Sequence, residues 1–410
     1  MSKVLIIGGG AAGMMAGIMA ARNGHTVTIF EKNEKLGKKL FITGKGRCNL
    51  TNAGDNEDLL NSIVSNKKFM YSAFSGFSNY DTMGFFGELG LDIKVERGNR
   101  VFPESDKSYD VIGTLERELK QLKVKIGLNT AVESVHEKDG SFSYLITSDG
   151  DRVSGDACIV ATGGNSYQST GSTGDGYKFA RKLGLHVTEI LPALVPFSVK
   201  EEWSMDLQGL SLRNVEVKVM KGKKELYSDF GELLFTHFGV SGPTVLSASS
   251  YVAKEIKNTP LTLHIDLKPA LSEEQLDERI LRDFKEEMNK SFKNSLDKLL
   301  PKKMIPVIIK LSDIPEFKKI NEISREERLR LVSLMKNLEL TLTGLRGFGE
   351  AIVTQGGVDV KEVNPSTMES KKVKNLFFTG EVLDVDAVTG GFNLQIAWST
   401  AFAAAQAINK

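Results

Sequence analysis

Three glycines near the amino terminus have the spacing of a phosphate-binding turn. Gly8, Gly10 and Gly13 form the pattern G-x-G-x-x-G directly after the apolar run 4–7. In a strand–turn–helix context, the first glycine permits the sharp turn, the second lets a pyrophosphate approach the backbone, and the third lets the helix pack against the strand. The helix amino terminus offers unpaired N–H groups and a positive dipole end to the phosphates. The pattern therefore predicts that the chain binds a dinucleotide.

An acidic residue at the end of the next strand supports this interpretation. Glu31 follows the apolar-rich run 26–30. A carboxylate at this position can accept hydrogen bonds from a ribose 2′-OH. A glycine-rich turn that served packing alone would leave this carboxylate unexplained. We therefore predict that Glu31 binds the adenosine ribose of the dinucleotide.

Composition limits the classes of protein that the chain can represent. Its 410 residues predict two or three domains, and 41% hydrophobic residues are enough for buried cores. The net charge of +1 demands no polyanionic partner, so we expect no nucleic acid. The two cysteines, Cys48 and Cys158, are far apart, which excludes a disulfide framework and a cysteine metal site and fits a reducing compartment.

The apolar run 4–21 imitates a signal peptide or a short membrane span. Its glycine cluster favours a buried strand, a phosphate turn and a buried helix instead. No other long apolar run follows. We therefore expect a soluble cytoplasmic protein without a membrane partner, and the oligomeric state stays open.

The pattern of hydrophobic residues changes twice along the chain. Strands and helices alternate over residues 1–194, and the last part, 351–410, returns to that pattern. Between them, residues 195–270 and 338–350 are β-rich, and residues 271–337 are helical, with capping boxes beginning at Ser272 and Ser324. The sequence therefore predicts a nucleotide-binding domain that is interrupted by an inserted domain with a helical subdomain.

Three separated segments indicate that the nucleotide is FAD. An apolar strand ends in Ala161-Thr162-Gly163, a later strand enters Gly380-Glu381 with Asp384 after it, and a last helix begins at 390–395. In FAD enzymes of the two-dinucleotide-binding type, such segments contact the flavin, the ribityl chain and the pyrophosphate. The last helix directs its N–H groups at the flavin pyrimidine, where a reduced flavin develops negative charge.

The chain resembles the bacterial three-domain FAD-binding oxidoreductases, a family that includes the bile-acid-reductase type (BaiN) and the aminoacetone-oxidase type. The resemblance covers essentially the whole chain. It rests on KKL at 38–40, TGKGRCNLTN at 43–52, RVFP at 100–103, GELLFTH at 231–237, SGP at 241–243, TQGGV at 354–358, GEVLDVD at 380–386 and GGFNLQ at 390–395. Many relatives have glycine where this chain has Lys45.

The resemblance implies an α/β fold, in which a Rossmann-like FAD domain of the glutathione-reductase type is interrupted by a β-rich domain that carries a helical subdomain. It specifies the substrate poorly. The cofactor-binding residues that we predict are Gly8, Gly10, Ala11, Ala12, Gly13, Glu31, Lys32, Lys39, Gly44, Arg47, Cys48, Asn49, Val132, Ala161, Thr162, Gly163, Gly380, Glu381, Asp384, Asn393, Leu394 and Gln395.

The catalytic set is smaller, because a flavin needs little beyond a positioned substrate and one proton donor or acceptor. We predict His237, since the following Gly/Ser/Pro loop could reach over the flavin, although the histidine could instead anchor that loop. Tyr167 could stack near the isoalloxazine or serve packing. Arg47 could bind a cofactor phosphate, bind an anionic substrate or form a salt bridge within its loop.

These residues predict a flavin-dependent oxidoreductase that acts on a small organic molecule by hydride transfer at N5. No second G-x-G-x-x-G follows a strand, so NAD(P)H would bind transiently as co-substrate. One alternative is an amine oxidase of the aminoacetone-oxidase type, which passes electrons to oxygen. Another is an FAD-containing tRNA-modifying or RNA-binding protein. Residues 271–337 contain 15 Lys/Arg and 13 Asp/Glu, a balance that weighs against RNA.

Overall fold

The computed structural model describes residues 1–408, and these residues form two units. Unit 1 comprises 1–193 and the described part of 347–410, and unit 2 comprises 194–346. The sequence predicted that the β-rich insert extends to residue 350, whereas residues 347–350 belong to unit 1. No helix among the described residues is long and apolar enough to cross a membrane.

Unit 1 contains most of the strands and the parallel sheet. Its strands are β1 Lys3–Ile7, β2 Thr26–Phe30, β3 Thr51–Asn52, β4 Ile93–Glu96, β5 Arg100–Pro103, β6 Lys125–Gly127, β7 Val132–Lys138, β8 Ser141–Thr147, β9 Arg152–Ser154, β10 Ala157–Val160, β11 Leu191–Ala193, β18 Val353–Gln355 and β19 Leu376–Phe378. Its helices are α1 Ala11–Arg22, α2 Lys38–Ile42, α3 Asn56–Asn61, α4 Tyr71–Gly76, α5 Asn79–Glu88, α6 Ser108–Gln121, α7 Asp175–Lys182 and α12 Phe392–Ala407.

A five-stranded parallel sheet of order β19-β10-β1-β2-β6 forms the centre of unit 1. Its central strands are continuous apolar runs because both faces are covered, and Val4, Leu5 and Ile6 are fully buried. The strand order reverses between β1 and β10, which pair from Val4↔Ala157 to Ile7↔Val160. Such a reversal opens a crevice at the carboxyl ends of the strands, where ligands of open α/β sheets bind.

The first and last helices of unit 1 pack against each other. Both are apolar on nearly all sides and consist largely of small residues, as buried helices do. Trp398 of α12 is fully buried, and its indole N–H donates to the carbonyl of Leu50 at 2.9 Å. The helix that follows the phosphate-binding turn is therefore packed directly against the helix that ends the chain.

Unit 2 is a closed β-barrel with four helices. Its strands are β12 Phe197–Val199, β13 Ser211–Lys221, β14 Lys224–Phe235, β15 Gly239–Ser241, β16 Leu261–Asp266 and β17 Leu338–Leu345, and its helices are α8 Pro243–Ile256, α9 Glu273–Glu286, α10 Ile305–Ser312 and α11 Arg325–Lys336. The barrel order is β12-β15-β14-β13-β16-β17. Complete capping boxes at Ser272 and Ser324 begin α9 and α11, so both predicted helix starts are confirmed.

Candidate FAD site

In the glycine turn after β1, a different structural constraint applies to each of the three glycines. Gly8 has φ +104°, and a Cβ there would lie 2.5 Å from the carbonyl oxygen of Ala161. A Cβ on Gly13 would lie 1.9 Å from the carbonyl oxygen of Gly8. A Cβ on Gly10 would meet no atom within 4 Å, so this glycine borders open space. Of the three glycines, Gly10 is therefore the one that a ligand could approach closely.

The amino termini of α1 and α12 both lack side-chain caps. Gly10 and Gly391 occupy the two N-cap positions, and neither helix has an acidic residue in its first turn. Gln395 donates the first helical hydrogen bond of α12 to Gly391, so the N–H groups of 392–394 precede that ladder. These groups and the dipole of each helix suit two negatively charged parts of a ligand, as a flavin pyrophosphate and a flavin pyrimidine would provide.

The polar side chains of α12 are engaged within unit 1 rather than pointing to a ligand. The amide of Asn393 donates to the carbonyl of Ala387 at 2.7 Å and accepts from the N–H of Ala387 at 3.0 Å. The buried amide oxygen of Gln395 accepts from the hydroxyls of Thr51 and Thr82. Both side chains therefore position the start of the helix. The part that can hold a cofactor is the backbone of this first turn, including the backbone of Leu394.

Glu31 is buried and holds the turn while keeping capacity for a ligand. Its Oε2 accepts from the N–H of Gly9 at 2.8 Å, and its Oε1 accepts from the backbone and side-chain N–H groups of Asn33 at 2.8 and 2.7 Å. An ionised carboxylate can accept about four hydrogen bonds, so one acceptor position suits a ribose hydroxyl. Asn33 was not predicted as a site residue. It lies two residues after Glu31, a spacing typical of side chains that close a turn by hydrogen bonding to a nearby backbone group.

Lys32 does not point into the phosphate turn. Its ammonium donates to Asp175 Oδ2 at 2.7 Å and to Thr173 Oγ1 at 2.6 Å. Thr173 lies in the loop before α7 and Asp175 is the first residue of that helix, so Lys32 fixes the start of α7. Val132 begins β7, two residues after Thr130, whose N–H donates to the carbonyl of Glu31 at 2.9 Å.

A half-buried ion pair lies at the carboxyl end of the sheet. Lys39 Nζ is 2.6 Å from Glu381 Oε2, and the two side chains are 19% and 20% exposed. Ser166 Oγ accepts from Lys39 at 2.6 Å and donates to Glu381 Oε1 at 3.0 Å, and the N–H of Thr354 also donates to Oε1. This cluster joins α2 and β18 to the segments after β10 and β19, and the ammonium neutralises the carboxylate.

Glycine residues around this ion pair allow the segments to approach each other. A Cβ on Gly380 would lie 2.9 Å from the Cβ of Ala12 in α1. Gly163, with φ +71°, lies in the segment after β10. Asp384 continues the segment after β19, where its N–H donates to Val358 at 3.0 Å. The crevice is thus bordered by residues from all three parts of the sequence that predicted FAD.

Arg47 is held by carboxylates of its own unit. It forms ion pairs with Glu96 and Asp106, and its guanidinium lies 4.1 Å from the centre of the Phe102 ring. The hydrogen bond from Arg47 is the main cause that lowers the pKa of Glu96. The structure therefore places Arg47 in the salt bridge that was one of its three predicted roles, and this pair fixes the loop that begins at Gly44.

Three buried oxygens in the segments described above have no hydrogen-bond partner among the described residues. They are Asn49 Oδ1, in the segment after Arg47, Thr162 Oγ1, in the segment after β10, and Thr379 Oγ1, directly after β19. An unpaired buried polar atom costs about 1–3 kcal/mol, so each atom suits a hydrogen bond to a ligand. Together with the open space at Gly10, these atoms fit FAD.

Burial keeps the Cys48 thiol neutral. The side chain is fully buried, and desolvation raises its pKa to about 12 against a lowering hydrogen bond with Thr43. The folded pKa of Cys48 exceeds its unfolded value, so burial of the neutral thiol is compatible with full stability below the unfolded pKa. That stability is lost as the pH rises towards 12.

We expect iodoacetamide at pH 9 to leave native Cys48 and buried Cys158 unmodified and to label both in denaturant, as measured by mass spectrometry. Rapid labelling of the native protein would contradict this.

The two predicted catalytic side chains belong to different units. His237 is exposed on the turn between β14 and β15 in unit 2, with its ring 4.8 Å from that of Phe238. Tyr167 is half-buried in unit 1 and has φ +53°, a left-handed conformation that is uncommon for a tyrosine. The carbonyl of Tyr167 accepts from Thr170, so its backbone forms a turn in the segment after β10.

The fold and the site define a flavoprotein oxidoreductase with an FAD-binding Rossmann-type domain. The family described as HI0933-like protein Rossmann domain matches residues 2–407, and the chain belongs to that family. It is 34% identical to the 3-dehydro-bile acid delta(4,6)-reductase of Clostridium scindens, over 99% of both chains. It is also 33% identical to the ribosomal RNA dihydrouridine synthase of Haemophilus influenzae, over 100% of this chain and 99% of the relative, and 32% identical to that of Escherichia coli, over 98% and 96%.

A solved structure supports the fold alone. The 3-ketosteroid-delta4-(5alpha)-dehydrogenase from Rhodococcus jostii RHA1 superposes with a TM-score of 0.54 at 14% identity, covering 98% of this chain and 96% of that one. The predicted α/β fold and the predicted family are confirmed.

Proposed function

We propose that the protein uses FAD and NAD(P)H to reduce a carbon–carbon double bond that is conjugated to a carbonyl group. The observation that carries this proposal is the chemistry shared by the full-length relatives. The names of these relatives, a delta(4,6)-reductase of a 3-dehydro compound and a synthase of dihydrouridine, both describe the reduction of a C=C bond that is conjugated to a carbonyl group. The reducing cytoplasm is the compartment that we propose, since both cysteines are free and buried.

The chain supplies binding, charge and a proton to this reaction. When bound, FAD would supply hydride transfer from NAD(P)H to the carbon β to the carbonyl, by which NAD(P)H is oxidised and the C=C bond is reduced. The N–H groups at the start of α12 favour negative charge on the flavin pyrimidine. We propose His237 as the donor of a proton to the carbon α to the carbonyl, since histidine is the commonest general acid and this side chain is exposed.

Anaerobic stopped-flow mixing tests the proposed reaction. Purified protein loaded with FAD is mixed with NADH or NADPH, and flavin absorbance near 450 nm is followed. We expect bleaching, then reoxidation by a conjugated enone or a uridine-containing RNA under anaerobic conditions. Failure of NADH and NADPH to bleach the flavin would contradict the NAD(P)H linkage. Reduction by an amine and reoxidation by oxygen alone would instead support the amine-oxidase alternative.

The variant His237→Gln tests the proton donor. We expect reoxidation by the unsaturated substrate to slow by about 10²- to 10⁴-fold, the usual contribution of a positioned acid. Bleaching by NAD(P)H and the visible spectrum should stay unchanged, since neither needs this proton. His186→Gln is the matched control because His186 is also exposed and lies in unit 1. Equal reoxidation by wild type and His237→Gln would show that another group donates the proton.

A further inference from the structure

The loop that joins β10 to α7 crosses the carboxyl edge of the parallel sheet. The N–H of Gly174 donates to the carbonyl of Gly164 at 3.1 Å, so the two ends of this compact segment meet. We call it the 164–174 loop. It contacts Glu381, which follows β19, and Asn33, which follows β2. These strands are about 14 Å apart, with β10 and β1 between them, so the loop passes the end of β1, where the glycine turn begins.

The 164–174 loop is held firmly on the side of β19. Ser166 is fully buried, and its hydroxyl belongs to the ion-pair cluster of the crevice. The N–H of Asn165 donates to Thr354 Oγ1 at 2.7 Å. The N–H of Tyr167 donates to the carbonyl of Phe348 at 3.3 Å. Because these contacts are consecutive along the chain and include a buried side chain, we expect this side of the loop to stay attached.

On the side of β2, the 164–174 loop is held by two side chains. Asn33 Nδ2 donates to the carbonyl of Thr170 at 3.1 Å. Lys32 Nζ donates to Thr173 Oγ1 at 2.6 Å and pairs with Asp175 at 2.7 Å, where the two charged side chains are each 27% exposed. A pair that water reaches contributes little stability, so these contacts can break and re-form. This side of the loop is therefore the one that can open.

Glycines supply the positions at which the loop can bend. Gly171 has φ +102° and Gly174 has φ +76°. A Cβ on Gly171 would lie 2.5 Å from the amide nitrogen of Asn33, so glycine also permits the closed contact. Hinges are the few positions that absorb the change in backbone angles when a loop moves. The loop thus combines one fixed side, hinge positions and one side that can be released.

The releasable contacts continue into the adenosine end of the site. Glu31 Oε1 accepts from both N–H groups of Asn33, and the same amide holds Thr170. A ligand that extends from Glu31 past Gly10 to the start of α12 lies along the edge that the loop crosses. Closing the loop encloses such a ligand, and opening it exposes the adenosine end first.

We propose that the 164–174 loop is a gate for FAD, and that Lys32 and Asn33 are the residues that keep it closed. The gate sets the rates at which the cofactor enters and leaves, and it takes no part in hydride transfer. This inference goes beyond the proposed function, because it depends on the FAD site and not on the reaction. It also differs from the sequence prediction, in which Lys32 binds the cofactor itself.

Lys32→Met tests the gate, since it removes the charge and the hydrogen bonds on the β2 side and keeps most of the bulk. If opening precedes both entry and release, easier opening raises both rate constants by the same factor and leaves Kd unchanged. We expect each rate constant to rise about fivefold, the scale of one partly exposed ion pair, and Kd to stay within about twofold. Quenching of FAD fluorescence by FAD-free protein gives the association rate, and its return on dilution gives the dissociation rate.

Lys178→Met is the matched control. Lys178 Nζ lies 2.9 Å from Asp175 Oδ1, so this variant removes the same charge from the same carboxylate, but Lys178 belongs to α7 and holds nothing on the β2 side. We expect wild-type rates for this variant and for Lys32→Arg, which restores the charge. Hydrogen exchange of peptides covering 164–174 should quicken in FAD-free Lys32→Met, while other peptides and the Tm stay unchanged.

A rise in the dissociation rate alone, with a matching rise in Kd, would overturn the gate, because Lys32 would then hold FAD directly. Equal acceleration in Lys178→Met, or wild-type rates in Lys32→Met, would overturn it as well. Each of these outcomes leaves the proposed reduction of a C=C bond standing, since anaerobic mixing with NAD(P)H tests that reaction separately.

Discussion

Gly13→Ala is expected to destabilise unit 1 by about 3 kcal/mol or more, whereas Gly10→Ala should leave the fold intact and abolish tight FAD binding. The alanine methyl group at position 13 would lie 1.9 Å from a backbone oxygen, which cannot move without displacing β1. At position 10 the methyl group meets no protein atom within 4 Å, and the backbone conformation there suits alanine. It would instead fill the space through which a pyrophosphate approaches.

Thermal unfolding of the FAD-free proteins and titration with FAD separate the two effects. We expect Gly10→Ala to keep the wild-type Tm within a few degrees and to raise the Kd for FAD about a hundredfold, which corresponds to about 2.8 kcal/mol. Gly13→Ala should lose FAD binding together with its folded structure. Wild-type affinity in Gly10→Ala would show that the phosphates do not approach this glycine.

Removing one partner of the Lys39–Glu381 ion pair should have the second-largest effect. Glu381→Gln leaves the ammonium of Lys39 about four-fifths buried without its carboxylate, and loss of one partner of a buried pair costs about 3–5 kcal/mol. The lower end applies because water reaches one-fifth of each side chain. For a unit of this size, about 3 kcal/mol lowers the Tm by about 6–12 °C, as calorimetry of the FAD-free protein would show.

The double variant Lys39→Met/Glu381→Gln is the control for this interpretation. It removes both charges, so we expect it to regain part of the Tm that Glu381→Gln loses, since Met packs and carries no uncompensated charge. An additive loss in the double variant would contradict the ion-pair explanation. It would show that Glu381 stabilises unit 1 mainly through its bonds to Ser166 and the Thr354 backbone.

Local patterns predicted those features that depend on neighbouring residues. The glycine spacing of the turn, the apolar central strands and the Ser-x-x-Gln and Ser-x-x-Glu helix starts all follow from short-range geometry, and the structure has each of them. The return of the chain to the nucleotide-binding domain after residue 351 was also predicted from the sequence, because this segment repeats a strand–turn–helix pattern.

Contacts between segments that are distant in the chain could not be predicted from the sequence. Arg47 is neutralised by Glu96 and Asp106, and Lys32 by Asp175, so charges that suited phosphates are held by protein carboxylates. Nothing in the local sequence of Arg47 or Lys32 specifies these partners. The barrel was predicted only as β-rich, because two of its strands, β12 and β15, are three residues long and carry too little alternation to be recognised.

The antiparallel pair β11–β18 of unit 1 flanks the barrel in the sequence, and it joins residues 191–193 to residues 353–355. Unit 1 therefore consists of two stretches of chain that the ribosome makes far apart in time. At about 5–20 residues per second, synthesis of the barrel alone delays the second stretch by roughly 8 to 30 s. Throughout that interval the nascent chain lacks β19 and α12, so its apolar sheet face is uncovered and no flavin can be retained. Capture of the cofactor is accordingly expected to follow the synthesis of α12.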